Sequence, residues 1–568
     1  MNTDKDFFFE VDASRVLLLL ETNYLLTSAV CETSSLRRFC KADGTSLKVK
    51  ILYNSKNVEE FLKEEVKSKK PFFVYFARKG QHFDGHSLAE KVLSSGNIFV
   101  GNSDDLKHYA EQKNYPQEWS KAIAEHPFFL SVNNVEYALK LVLKTTAQLS
   151  EDSFLSIAVT GTNGKTSTTQ ITSQIIETLL PKLVLKIGTL GIQIGKETMP
   201  GSHVTTPDYP TFLSCLKSAY EKNIRHVVFE ASSHGLKENR MGDWLVDIAI
   251  FTNLTQDHLD YHKTFEDYRN SKQLLFTNHL KREGTAVLST NNQEWISFAT
   301  KAALPTRHVI GVGSPQNKQS FFKQVSGKFK STRYLAYYDL NLSKQGISGI
   351  FQLENEEKVI SHSAYCAPLL GQFQHENLAC SVAACIAMDF LLPSVTSTLP
   401  CLTTISGRLE KVEPCEEKKS HKPLVIVDHA HSPDALEKSL CSCKELLQKN
   451  GKLFCVFGCG GDRDKMKRPT MGKIAVTFSD LAFVTSDNPR SEDGAKIIDE
   501  ILSGIDDKTK VVSVIDRKEA ITLAIHRATD NDIVLIAGKG SEKYQIIGTE
   551  KLPFSDYDVA KTALDNKL

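Results

Sequence analysis

Nowhere in the 568 residues does an apolar run approach the ~20 that a membrane-spanning helix needs. The VLLLL run at 16–20 is short and follows acidic residues rather than a basic stretch, so it reads as neither a span nor a leader. Charge of one sign is also lacking. With 69 Lys and Arg against 68 Asp and Glu, the formal charge is +1, and no global field directs the chain to nucleic acid or an anionic membrane. Any polyanion must therefore be held locally. The twelve cysteines include no C-x-x-C pair, and Cys441 and Cys443 have no matching pair elsewhere, which excludes the common zinc and redox spacings and fits a reduced interior. Internal repeats and low-complexity tracts are absent too. These gaps predict a soluble, cytoplasmic protein with no nucleic-acid partner and no membrane insertion. At ~100–200 residues per domain its length allows about three or four cores.

What is present is a rhythm of short apolar runs alternating with helix-like segments. IAVTG, HVVFEAS and VDIAIFTNLT are followed later by PLVIVDHAH, KLFCVFGCGG, LAFVTSDNPR, KVVSVID and NDIVLIAGKG. This pattern predicts parallel sheets with crossover helices, and in such sheets ligands gather beyond the carboxyl ends of the strands. The unusual polar residues of this chain follow those runs. The texture changes before about residue 135 and again in LLPSVTSTLPCLTTISGR near 391–408, which places domain boundaries there. Residues 315–360 alternate polar and apolar side chains and read as antiparallel strands attached to the middle domain.

The sharpest local signal is AVTGTNGKT at 158–166. A buried strand, a glycine turn and a helix-compatible stretch (STTQITSQIIETLL) let backbone N–H groups and a helix N-terminus point at one spot, which favours a phosphate. The match to G-x-x-x-x-G-K-[ST] is imperfect, because Val159 stands where the first glycine belongs and the loop is the shorter G-T-x-G-K-T. Downstream, Glu230, Asp257 and His258 sit at strand ends, and Lys272 lies on a following helical segment. Hard oxygens and imidazole suit a divalent metal bridging phosphates, so Glu230 and His258 are candidate ligands. Alone, each such residue is also compatible with capping or solvation. In the last third, Arg408, Asp428 and His429 could close over a nucleotide, and Arg463 and Arg490 offer guanidinium forks suited to carboxylate or phosphate.

The order of the motifs resembles one family throughout the chain. NSKNV, RKGQHFDGH, GTNGKTS, TTPDY at 205–209, EASSHGL, NLTQDHLDYH, YRNSK, LLGQFQHEN at 369–377, SGRLE at 406–410, VDHAHSPDALE, GCGGDRDKMKRP, SDNPR and AGKGSEKYQ at 537–545 follow one another as in the Mur ligases of peptidoglycan synthesis, MurE type. The resemblance implies a three-domain α/β protein: a UDP-sugar-binding domain at 1–134, a central P-loop ATPase-like domain at 135–404 and a Rossmann-like, amino-acid-binding domain at 405–568. It implies an ADP-forming ligase that uses ATP and Mg2+ to join meso-diaminopimelate to the D-glutamate γ-carboxylate of UDP-N-acetylmuramoyl-L-alanyl-D-glutamate through an acyl phosphate.

Carried over by position, the resemblance places ATP against Gly161, Thr162, Asn163, Gly164, Lys165, Thr166, Ser167, Asn377, Arg408 and Asp428. Metal would be held by Thr166, Glu230, His258 and Lys272, the last as a carbamate, and Lys165, Lys272 and His258 would be catalytic. Thr205, Thr206, Ser233 and Arg240, with Ser55 and Lys56 in the amino-terminal domain, would bind the nucleotide-linked muramoyl peptide. Arg463, Asp487, Asn488, Pro489, Arg490, Gly538 and Glu542 would form the diaminopimelate pocket. The chain departs from the family in having Gln374 for Asn, His429 for Tyr and Ser541 for His. Two alternatives stay open: the same scaffold serving L-lysine or a folylpolyglutamate-type reaction, or a nucleotide-binding regulator without ligation.

Overall fold

In the computed structural model the described residues are 10–12, 16, 20, 48–52, 73–79, 84–95, 97–126, 128–195, 197–199, 204–415 and 422–567. Ser55 and Lys56 lie outside them. The chain divides into two compact units, residues 1–156, 191–227 and 233–244 in the first and 157–190, 228–232 and 245–568 in the second. Among the described residues no helix is long and apolar enough to cross a membrane, and no disulfide forms.

The first unit holds a five-stranded sheet in sequential order: β1 (Glu10–Asp12), β2 (Lys48–Leu52), β3 (Phe73–Phe76), β4 (Ile98–Gly101) and β5 (Phe129–Ser131). β1 is antiparallel to β2 and the rest are parallel. Phe73, Tyr75 and Phe99 pack with Leu88, Val92 and Leu106 in one buried cluster.

The second unit holds most of β6 (Leu155–Thr160) and of β10 (His226–Glu230) and all of β7 (Leu185–Gly188), β11 (Val246–Phe251), β12 (Leu280–Ser289), β13 (Leu304–Gly313), β14 (Phe329–Ser343), β15 (Gly346–Glu354) and β16 (Val359–Ala367), in the order β16-β15-β14-β13-β12-β11-β6-β10-β7. The intervening β8 (Gly191–Ile194) and β9 (Glu197–Met199) form an antiparallel ribbon. β6 and β11 to β14 run parallel, whereas β14, β15 and β16 are antiparallel. The antiparallel reading of 315–360 therefore holds from Phe329 onward but not before it. Lys318–Val325 is a helix, because Phe321 and Val325, four residues apart, bury one face. The Pro- and Ser-rich stretch near 391–408 is also more ordered than its composition suggests. It opens with the helix Leu392–Thr398, with Pro393 in the first turn where its missing N–H costs nothing.

The C-terminal part carries a six-stranded sheet of β17 (Glu410–Lys411), β18 (Leu424–Asp428), β19 (Leu453–Phe457), β20 (Leu481–Val484), β21 (Val511–Ser513) and β22 (Ile533–Ala537) in the order β17-β18-β22-β19-β20-β21. β18 to β22 are parallel, and only β17 opposes its neighbour. Strand alternation sends Leu424, Ile426, Leu453, Cys455, Ile533 and Leu535 into one core and Val425, Val427, Phe454, Val456, Val534 and Ile536 into another. Both faces are therefore covered by helices, and the strands read as continuous apolar runs. Function is left to the loops at the carboxyl ends. A short hairpin, β23 (Tyr544–Ile547) and β24 (Glu550–Pro553), follows β22.

Candidate active site

β6 runs into the loop 161–164 and then into the helix Lys165–Leu179, as the sequence predicts. Gly161 has φ +153° and Gly164 φ +84°, and a Cβ at these positions would lie 2.0 Å from Thr252 Oγ1 and 2.3 Å from Asn377 Oδ1. Glycine is required here by both backbone angle and space. The end of β11 holds the loop from outside: Asn253 Oδ1 accepts from Asn163 N–H at 2.9 Å, and Thr252 Oγ1 donates to the Asn163 carbonyl at 2.6 Å. Tyr268 OH and Thr162 Oγ1 lie 3.1 Å apart.

Two lysine side chains converge on one carbonyl of this loop. Lys165 Nζ donates to Gly161 O at 2.9 Å and Lys272 Nζ to the same oxygen at 2.7 Å. Lys272 is 1% exposed, and its Nζ stands 4.5 Å from the centre of the Tyr268 ring. Burial and then the Lys165 cation push the Lys272 amine well below the ordinary lysine range, with Asp257 opposing. Burial lowers Lys165 as well. Such crowding favours a neutral amine at Lys272.

Behind the loop, Glu230 at the end of β10 is 1% exposed. Thr166 Oγ1 lies 3.0 Å from both its carboxylate oxygens, the Thr189 amide donates to Oε1 at 2.8 Å, and Thr189 Oγ1 donates to Oε2 at 3.2 Å. Arg408 reaches the same threonine, with Nη2 3.4 Å from Thr166 Oγ1. His258 has φ +52° and is half exposed, its Nε2 3.5 Å from Asp257 Oδ2 and its ring edge-on to Tyr268. Ser167 is buried in the first helical turn.

Asp428 closes the carboxyl end of β18. It accepts from the amides of Leu409 at 2.8 Å and Ala430 at 3.0 Å and from Ser439 Oγ at 3.0 Å, fixing the SGRLE segment that carries Arg408. Burial raises its carboxyl above the ordinary range, with the Arg408 cation opposing. Asn377 donates through Nδ2 to Gln374 Oε1 at 2.9 Å, so the longer Gln374 still steadies the amide that faces Gly164. His429 rests on the Lys539 carbonyl through Nδ1 at 3.2 Å, and burial together with Arg408 holds its ring neutral. Ser541 N lies 2.2 Å from where a Gly407 Cβ would be. A larger residue at 407 is thereby excluded.

At the ends of β19, β20 and β22 the remaining predicted residues gather. Asn488 Nδ2 donates to Glu542 Oε2 at 2.9 Å, and Asn488 Oδ1 accepts from the Ile546 amide at 2.9 Å. Arg490, at φ +53°, donates through Nη1 to the Gly461 carbonyl at 2.7 Å and forms no ion pair among the described residues. Arg463 forms neither a hydrogen bond nor an ion pair among them; its Cγ would stand 3.7 Å from a Gly460 Cβ. Pro489 O would lie 1.9 Å from a Gly461 Cβ, and Asp487 Oδ2 2.5 Å from a Gly538 Cβ, so neither glycine has room for a side chain. In the first unit, Arg240 Nη1 donates to the Thr206 carbonyl at 2.8 Å, Thr206 packs on Gly235, Ser233 is buried and Thr205 half-buried.

Two family models match: the Mur ligase middle domain over residues 159–385 and the Mur ligase, glutamate ligase domain over 407–540. A Rickettsia rickettsii protein named UDP-N-acetylmuramoyl-L-alanyl-D-glutamate--2,6-diaminopimelate ligase is 36% identical over 521 residues, covering 91% of this chain and 98% of its own. The chain belongs to the Mur ligase family. A Bacillus velezensis protein of the same name is 36% identical over 86% of this Mur ligase and 91% of its own chain. A solved structure bearing that ligase name aligns with a TM-score of 0.55 at 29% identity, covering 83% of this chain and 92% of that one. This Mur ligase is an ATP-dependent, amide-forming enzyme.

Magnesium fits the residues present. Thr166 and Glu230 offer hard oxygens side by side, and magnesium binds through one or two carboxylates with water and substrate phosphates. Among the described residues, no three His, Cys, Asp or Glu side chains form a ready-made metal cluster.

Three contributors escaped the sequence reading. Thr189 holds Glu230 with two donors, and its only signal is a position just after a strand. Arg468, fully buried within GCGGDRDKMKRP, grips Glu492 with two bonds of 3.0 Å and so ties that loop to the SDNPR loop. Lys539 is fully buried between Asn488 and Glu542.

Proposed function

We propose that this Mur ligase adds meso-diaminopimelate to the D-glutamate γ-carboxylate of UDP-N-acetylmuramoyl-L-alanyl-D-glutamate, forming ADP and phosphate, in peptidoglycan biosynthesis in the cytoplasm. Residues 1–134 bind the nucleotide sugar, 135–404 bind ATP and 405–568 bind the amino acid. The relatives' names support the reading, and the observation that carries the choice of amino acid is Arg490. Its guanidinium makes no direct ion pair among the described residues, with Asp462 acting on it only at longer range, and it stands in one loop with Asn488.

A carboxylate is a poor acyl donor. Transfer of the γ-phosphoryl group converts it to an acyl phosphate, which the amine then attacks with loss of phosphate. Magnesium, when bound, neutralises charge building on the transferred oxygens. Lys165 releases the Gly161 carbonyl to meet the γ-phosphate, and the loop amides and helix N-terminus hold the β- and γ-phosphates. Thr166 and Glu230 hold the metal, with Thr189 orienting the carboxylate. His258, half exposed beside Asp257, would serve as a further metal ligand. Lys272, as a neutral amine, adds carbon dioxide and releases a proton, becoming a carbamate anion that relieves the repulsion with Lys165. Asn377, Arg408 and Asp428 border the nucleotide, while Thr205, Thr206, Ser233 and Arg240 hold the muramoyl peptide.

L-Lysine lacks the distal carboxylate and would leave Arg490 desolvated and unpaired. Sites built for a polar group reject an analogue lacking it by roughly 10⁴–10⁵. Arg490→Ala is expected to depress the diaminopimelate reaction by several orders of magnitude while leaving the KM for ATP and for the nucleotide sugar near wild type. Unchanged discrimination between the two amino acids in that variant would contradict the assignment.

A further inference from the structure

Lys539 follows Gly538 at the end of β22 and is completely buried. Its Nζ donates to Asn488 Oδ1 at 3.0 Å and to Glu542 Oε2 at 3.1 Å, and stands 3.8 Å from Asp487 Oδ1. An ammonium and a backbone N–H can only donate. Since Asn488 Oδ1 receives both Lys539 Nζ and the Ile546 amide, the orientation of the Asn488 amide is dictated by its neighbours. Nδ2 must point the other way, where one of its protons goes to Glu542 Oε2. The second Nδ2 proton and Glu542 Oε1 make no hydrogen bond among the described residues. Arg490 is held against the same framework: its amide donates to Ile546 O at 3.1 Å, and its Nη1 and the Asn488 carbonyl both engage Gly461.

We infer that Lys539 is a positioning residue for amino-acid choice. It turns Asn488 into an obligate donor toward a carboxylate, and by occupying Glu542 Oε2 it leaves Oε1 to receive the distal ammonium of a diamino acid. The groups left open are thus two donors, from Asn488 and Arg490, and one anionic acceptor, the complement of an α-amino-carboxylate centre. This rests on the proposed diaminopimelate reaction.

The test is steady-state kinetics of the full chain with ATP, the muramoyl dipeptide and either meso-diaminopimelate or 2-aminopimelate, which keeps the reacting amine and distal carboxylate but lacks the second amine. For Lys539→Met the KM for diaminopimelate should rise about 10- to 100-fold, as for a buried polar group losing its partner. The KM for ATP should stay within about twofold, and the preference for diaminopimelate over 2-aminopimelate should collapse. A purely structural role would weaken both amino acids equally, and an unchanged preference overturns the inference. Should Lys539→Met fail to melt cooperatively, Asn488→Asp decides. It keeps the volume and the Lys539 contact but replaces the free donor with an oxygen, so wild-type use of diaminopimelate by that variant overturns the inference. A wild-type enzyme that makes no diaminopimelate product would instead overturn the underlying reaction as well.

Discussion

Lys165 and Lys272 share one carbonyl oxygen, and that contact sets what each can do. In the proposed function Lys165 supplies charge at the γ-phosphate, so Lys165→Ala should cut ligation by roughly 10²–10³ with the melting temperature near wild type. Near-normal turnover in a folded variant would remove the phosphate-loop assignment. Lys272→Ala should lose activity and regain part of it when a short carboxylic acid is added, since the acid replaces the carbamate anion in the vacated space. Full activity without the acid would end the carbamate proposal. At this scale the sequence was partly legible. Lys165, Thr166 and Glu230 could be named because loop spacing and strand ends mark them, and the fold brings all three together. Thr189, Arg468 and Lys539 carry no such mark. They act through contacts between segments 41, 24 and 51 residues apart, and only tertiary structure supplies those neighbours.

The elements follow from patterns the sequence does display. Most apolar runs became buried strands, though KVVSVID gave only the short, part-exposed Val511–Ser513, and the stretch after Lys165 became a helix. The helix Lys318–Val325 was hidden because it is only eight residues long and just Phe321 and Val325 mark its buried face, too few to display a helical period. Two buried groups hold elements together and give separate expectations. Arg517 joins its helix to Asp556 of the C-terminal helix through two bonds of 2.7 Å, and both side chains are fully buried. Arg517→Met leaves Asp556 an unpaired buried anion and should cost about 3–5 kcal/mol of stability, measured by urea denaturation. His375, in the helix Gln374–Ala387, is held down to about 4 by burial and bonds Tyr365 OH at 2.7 Å. Its folded value lies below the unfolded one of about 6.5, so the unfolded state binds the proton first and stability rises with pH. Stability should fall as pH drops from about 6.5 toward 4, and His375→Gln should flatten that part of the curve. Equal slopes for the two proteins would show that His375 does not contribute.

For the whole molecule, the proposed function requires a phosphate loop, a carboxylate–threonine metal seat and an amino-acid pocket within one ligase. The Mur ligase order of motifs was legible from the sequence, because each motif sits in a loop whose chemistry is written in consecutive residues. The domain boundaries rest on changes in sequence texture together with that resemblance, and the nucleotide-sugar contacts at Ser55 and Lys56 on the resemblance alone. The most direct measurement is a competition assay on the purified wild-type chain with ATP, magnesium, the UDP-linked muramoyl dipeptide and equal meso-diaminopimelate and L-lysine, read by product mass and phosphate release. The expected result is a product carrying diaminopimelate, one phosphate per amide formed, and L-lysine rejected by about 10⁴ or more. Comparable incorporation of L-lysine, or phosphate release that needs neither organic substrate, would contradict it.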